Sequence, residues 1–96
     1  MNDEQLQRSL QSIGKACFVK YLDTFSNPQI SNEDLVDYLI AQESYKESGA
    51  RTRVTQTRRI IREGRTEDAL HMVMSSLRID DQTRDLARTM IGKWET

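Results

Sequence analysis

Ser31-Asn32-Glu33-Asp34-Leu35-Val36-Asp37-Tyr38-Leu39-Ile40-Ala41-Gln42-Glu43 is the stretch that decides the fold class. Ser31 is a good helix N-cap, Asp34 stands three residues on in the position of a capping box, and Ile30 and Leu35 flank them as a hydrophobic staple. Leu35, Tyr38, Leu39 and Gln42 then share one side of the helix, with Val36 and Ile40 beside them. The helix is expected to end near Glu43–Tyr45.

Working outward, the same periodicity recurs on both sides. Leu6, Leu10, Ile13, Cys17, Tyr21, Leu22 and Phe25 recur at spacings of three and four, which predicts one long helix from about Asp3 to Phe25, stopped by Ser26-Asn27-Pro28. Gly14 weakens that stretch without breaking it, by about 1 kcal/mol relative to alanine. Downstream, Lys46–Gly49 reads as a connection, and a third helix begins near Ser48–Ala50 and ends at Gly64, well placed as a left-handed C-terminal cap. Thr66 is expected to cap a fourth helix carrying Leu70, Val73, Met74 and Leu77 on its buried stripe. Asp80 or Asp81 starts a fifth, carrying Leu86, Ala87, Met90, Ile91 and Trp94. No segment alternates with period two, so the expected fold is all-α: a compact bundle of about five helices in one domain, residues 1–96.

Composition narrows the class further. A chain of 96 residues supports one modest core, and 30% charged residues suit a well-solvated helical surface. No apolar run is long enough to span a bilayer, which argues against a membrane partner. The single Cys17 cannot form an internal disulfide, and Met1-Asn2-Asp3-Glu4-Gln5 is the opposite of a secretory signal, so a cytoplasmic location is expected.

The charge is unevenly placed. The whole chain carries −1, but residues 46–65 hold seven basic and two acidic side chains. On a helix, Arg51, Thr55, Arg58, Arg62 and Arg65 fall along one face, with Arg59 next to them. Ala50, Val54, Thr57, Ile61 and Gly64 leave only a thin apolar stripe to anchor it. A solvated, salt-bridged face is the ordinary reading of such a helix. Three features resist it. Arg58 and Arg62 lack an acidic residue three or four positions away, Arg51 and Arg53 would sit in a first turn that disfavours positive charge, and six of the seven basic residues are arginine.

The expected function is therefore a small non-enzymatic DNA-binding protein, a regulator or accessory factor. Arg51, Arg58, Arg62 and Arg65 are the main phosphate contacts, and Arg53, Thr55, Gln56 and Arg59 the candidates for base contact. The order of helix, connection and basic helix is helix-turn-helix-like, and a domain this small often gains affinity as a homodimer. Leu35–Ile40 with Tyr45, Ser48 and Arg59-Ile60-Ile61 is faintly similar to the helical core-binding domains of tyrosine recombinases, over less than a third of the chain; that similarity also implies DNA. RNA fits less well, because the basic stretch lacks stacking aromatics. The alternative is a protein-interaction module, an adaptor or inhibitor whose Arg face meets an acidic partner.

Catalysis is not expected. His71 and Cys17 are the single members of their types, too few for a structural zinc site, and a lone pair lacks an orienting third group. Glu33-Asp34, Glu67-Asp68 and Asp80-Asp81 all stand at expected helix N-termini, where capping and the helix dipole account for them. No glycine loop cradles a phosphate, so no metal and no cofactor is expected.

Overall fold

The computed structural model describes residues 1–94. It is all-helical, with no strand among the described residues: α1 (Asp3–Ile13), α2 (Lys15–Lys20), α3 (Leu22–Phe25), α4 (Asn32–Glu43), α5 (Glu47–Arg62), α6 (Thr66–Met74) and α7 (Asp81–Trp94). Five of these are main helices; α2 and α3 are short pieces of the chain expected to continue the first.

That expected 23-residue helix is broken twice. Gly14 takes φ +87°, a conformation open to glycine and costly for other residues, and Tyr21 leaves helical geometry at φ −110°, ψ 11°. The apolar spacing survives the breaks because bonds of helical separation continue across them: Phe18 N–H donates to Gly14 at 2.9 Å and Phe25 N–H to Tyr21 at 2.9 Å. The breaks redirect the segment around the core. α1 packs on α5, α2 on α7, and α3 reaches α5 again.

α4 begins as the sequence predicts. Ser31 is its N-cap, and its hydroxyl accepts from Asp34 N–H at 3.1 Å. It ends at Ser44, which takes the left-handed conformation usually left to glycine. The connection to α5 is only residues 44–46, shorter than expected, since α5 starts at Glu47.

α5 is not thinly anchored. Ala50, Val54, Thr57 and Ile60 are buried at spacings of four, three and three, and α1, α3, α4 and α6 all touch this helix. Ile60, rather than the expected Ile61, completes the buried stripe. Gly64 ends the segment at φ +71°. Thr66 does not cap α6: it is the first helical residue, buried, and the cap position belongs to Arg65. The cap of α7 is as expected, with an Asp80 carboxylate oxygen accepting from Thr83 N–H at 2.7 Å. Leu77 departs from its expected place in the α6 stripe. It stands in the loop after α6, 96% exposed.

Candidate nucleic-acid interface

The arginines of α5 are divided between two tasks. Arg51 donates to Glu33 at 2.6 Å and, one helical turn back, to Glu47 at 3.2 Å. Those carboxylates hold its guanidinium even more firmly protonated than usual, and Arg51 in turn holds the Glu33 carboxyl below its ordinary range. Both carboxylates are largely exposed, so the pairing is a surface one and worth little.

Arg58 is spent inside the fold. Its guanidinium donates to the carbonyls of Phe25 (3.2 Å), Asn27 (2.9 Å) and Ile30 (2.7 Å), and to the Asn32 side-chain oxygen (3.0 Å). Between α3 and α4 the chain makes no regular helix or ladder to take up the carbonyls of Phe25, Asn27 and Ile30, and Arg58 donates to all three. Arg65 is similarly occupied: it donates to the Met1 carbonyl, to Asp3 and to Asp68, and its side chain is only 19% exposed. Arg53 lies over the Tyr45 ring, 3.9 Å from its centroid, and donates to the Gly49 carbonyl at 3.1 Å.

The electrostatic cost expected on the arginine face is therefore largely met within the molecule. Arg58 finds acceptors 26 to 33 residues away in sequence. Arg51 and Arg53 are not in a first turn, because α5 starts one to three residues earlier than expected and brings Glu47 to its N-terminus. Glu47, Gly49 and Asp68 are partners at helical spacing, whereas those of Arg58, and Glu33 and Asp3 for Arg51 and Arg65, lie at separations that helical spacing does not reach.

What remains outward is a narrower surface. Ser48, Thr52, Thr55 and Arg62 are exposed along α5, and Arg59 is half-buried at the edge facing α1. Among the described residues, Lys46, Arg59 and Arg62 are the basic residues of 46–65 whose side chains have no hydrogen bond or ion pair. A shallow groove of about 250 Å³ runs between α1 and α5, lined by Gln5, Arg8, Ser9, Ser12, Gln56 and Arg59. Gln56 is partly engaged there, accepting from the Ser9 hydroxyl at 2.8 Å. Arg8 enters from α1, paired only with the exposed Glu4 at 2.6 Å. Sequence reasoning missed Arg8, which lies outside the basic stretch and is brought to Arg59 by the packing of α1 on α5.

Of the residues first considered, then, Thr55, Arg59 and Arg62 face solvent or the groove, Gln56 lines it, and Arg51 flanks it with a surface ion pair. Arg53, Arg58 and Arg65 point their guanidinium groups into the fold. Among the described residues no three His, Cys, Asp or Glu side chains are grouped to hold a metal ion, and no helix is long and apolar enough to cross a membrane. Cys17 is buried, its thiol pushed up from its ordinary pKa by desolvation, and His71 lies on the exposed side of α6 beside Glu67. No protein-family model, curated protein or solved structure matches the chain.

Proposed function

We propose that the chain is a small non-enzymatic DNA-binding protein, a regulator or accessory factor, that meets phosphates along the α1–α5 face. The single observation behind this reading is the pair Arg59 and Arg62, three residues apart on α5 and without an intramolecular partner among the described residues, beside a polar groove that also receives Arg8. Arginine forks match phosphate oxygens, and Thr52 and Thr55 supply hydroxyls on the same strip. From Arg51 to Arg62 that strip runs about 16 Å, about five base-pair steps of one strand. Arg51 can exchange its exposed carboxylates for phosphate at small cost. Thr55 remains the candidate for base contact and Arg59 joins the phosphate contacts; Arg58 and Arg65 serve the fold instead. A single buried cysteine is consistent with work in the reducing cytoplasm.

A salt titration tests this. Fluorescent duplex of mixed sequence should be retained at low salt, with log K falling against log[salt] at a slope of about −3, the value for three phosphates neutralised by Arg8, Arg59 and Arg62. No retention at micromolar protein and low salt would replace duplex DNA with an acidic protein as the partner of this face.

A further inference from the structure

The α6–α7 loop is built to hold one leucine outward. Leu77 is 96% exposed, yet the backbone around it is pinned from behind. Arg84 donates to the carbonyls of Met74 and Ser76, Lys15 Nζ donates to the Ser76 hydroxyl at 2.9 Å, and Arg78 N–H donates to the same hydroxyl at 3.3 Å. An apolar side chain on a restrained loop is a preorganised contact, because little of its backbone freedom is left to lose on binding.

Beside this loop lies a receptor of matching character. A groove of about 290 Å³ is lined by the apolar Ala16, Cys17, Tyr45 and Leu86 and by the polar Glu43, Asp80, Gln82 and Thr83. Lys20 is also there, neutralised by Glu43 at 3.2 Å. Asp80 directs one carboxylate oxygen at the α7 N-terminus and is three residues from Leu77. Arg78, next to the leucine, is exposed, and its side chain has no partner among the described residues. One surface thus carries an apolar knob with an adjacent cation, and a groove of mixed lining in which Lys20 and Tyr21 take the Glu43 carboxylate and Asp80 is the carboxylate left without a cation among the described residues. That is the self-complementarity a twofold interface requires, where a patch meets its own copy.

We infer that two copies of the chain associate about a twofold axis beside Asp80, each seating Leu77 in the other's Ala16–Tyr45–Leu86 groove, with Arg78 against Asp80 of the other copy. The interface uses a different surface from the arginine strip, supplied by α2, α7 and the loop between α6 and α7.

Analytical ultracentrifugation from micromolar to submillimolar protein reads this directly. The expected result is a mass that doubles with concentration, and a dissociation constant raised about a hundredfold by Leu77→Ser, since each substitution acts twice in the dimer. Leu77 makes no core contact, so the variant keeps its circular dichroism and, at concentrations where the wild type is monomeric, its denaturation midpoint. Arg78, exposed and with no side-chain partner among the described residues, reports the location: Arg78→Glu should also weaken association while leaving the monomer's circular dichroism unchanged. A wild-type mass that stays monomeric throughout overturns the inference. So does a dimer that survives Leu77→Ser, or one whose dissociation constant is unchanged by Arg78→Glu.

Discussion

Arg58 Nη2 stands 2.7 Å from the carbonyl oxygen of Ile30, joining the middle of α5 to the residue that precedes the Ser31 cap of α4. The same guanidinium holds Phe25 and Asn27, so one side chain fixes the whole turn around Pro28. An arginine that looks poised for a phosphate is here a stand-in for backbone donors.

Removing it should unfold rather than unbind. Arg58→Met leaves three carbonyls short of a charged donor and is expected to cost about 2–4 kcal/mol, read as a lower urea midpoint at unchanged slope. Arg58→Lys should recover less than half of that, because one ammonium cannot reproduce the planar fork. A midpoint within error of wild type for Arg58→Met would remove the structural role assigned to it.

Two glycines predict opposite signs. Gly14→Ala forces a side chain into φ +87°, although the new Cβ would meet only Cys17 Cβ at 3.9 Å, so the cost is conformational and about 1 kcal/mol. Gly92 lies inside α7 with open space around it, and Gly92→Ala should stabilise by about 0.5–1 kcal/mol. Thermal denaturation of the two variants should bracket the wild type.

Thr57 is fully buried on the core face of α5, and its hydroxyl has no hydrogen-bond partner. Thr57→Val keeps the shape and removes the orphaned group, so it should stabilise the fold by about 1 kcal/mol. A loss of stability in chemical denaturation would mean that the hydroxyl has a partner in solution.

Acid should act through identifiable carboxylates. Glu33 is held below its ordinary pKa by Arg51, Glu43 by the Tyr21 hydroxyl and then Lys20, and Asp80 by the hydroxyl and backbone N–H of Thr83. A depressed folded-state pKa contributes stability above the unfolded value and loses it as pH falls through the folded one. Urea midpoints should therefore be level from about pH 7 to 5 and decline below about pH 4. Asp80→Asn should make that decline shallower; an unchanged acid limb would remove Asp80 from the account.

The pattern that was legible in the sequence is the local one. Ser31, Asp80 and Gly64 announce helix ends through chemistry confined to one turn, and the structure uses all three. Gly14 was legible as a weakness but not as a break, because the three- and four-residue spacing runs on from Ile13 to Cys17 and Tyr21 across it. Leu77 fits the α6 period by position, yet that helix ends at Met74, where Arg84 takes the Met74 carbonyl. The candidate interface was hardest to read. Helical spacing reveals partners three and four residues away, whereas Arg58 and Arg65 are satisfied by Phe25, Ile30 and Asp3, which only the folded chain brings near. The same distance hid Arg8 from Arg59.

The most direct measurement of the central claim is the salt slope of duplex binding in wild type and in Arg59→Ser/Arg62→Ser. Both side chains lie outside the hydrogen-bonded network of the fold, so helicity should be unchanged. The slope should fall in magnitude from about 3 to about 1, with affinity at low salt reduced at least tenfold. A double variant that binds duplex with the wild-type slope would contradict the account.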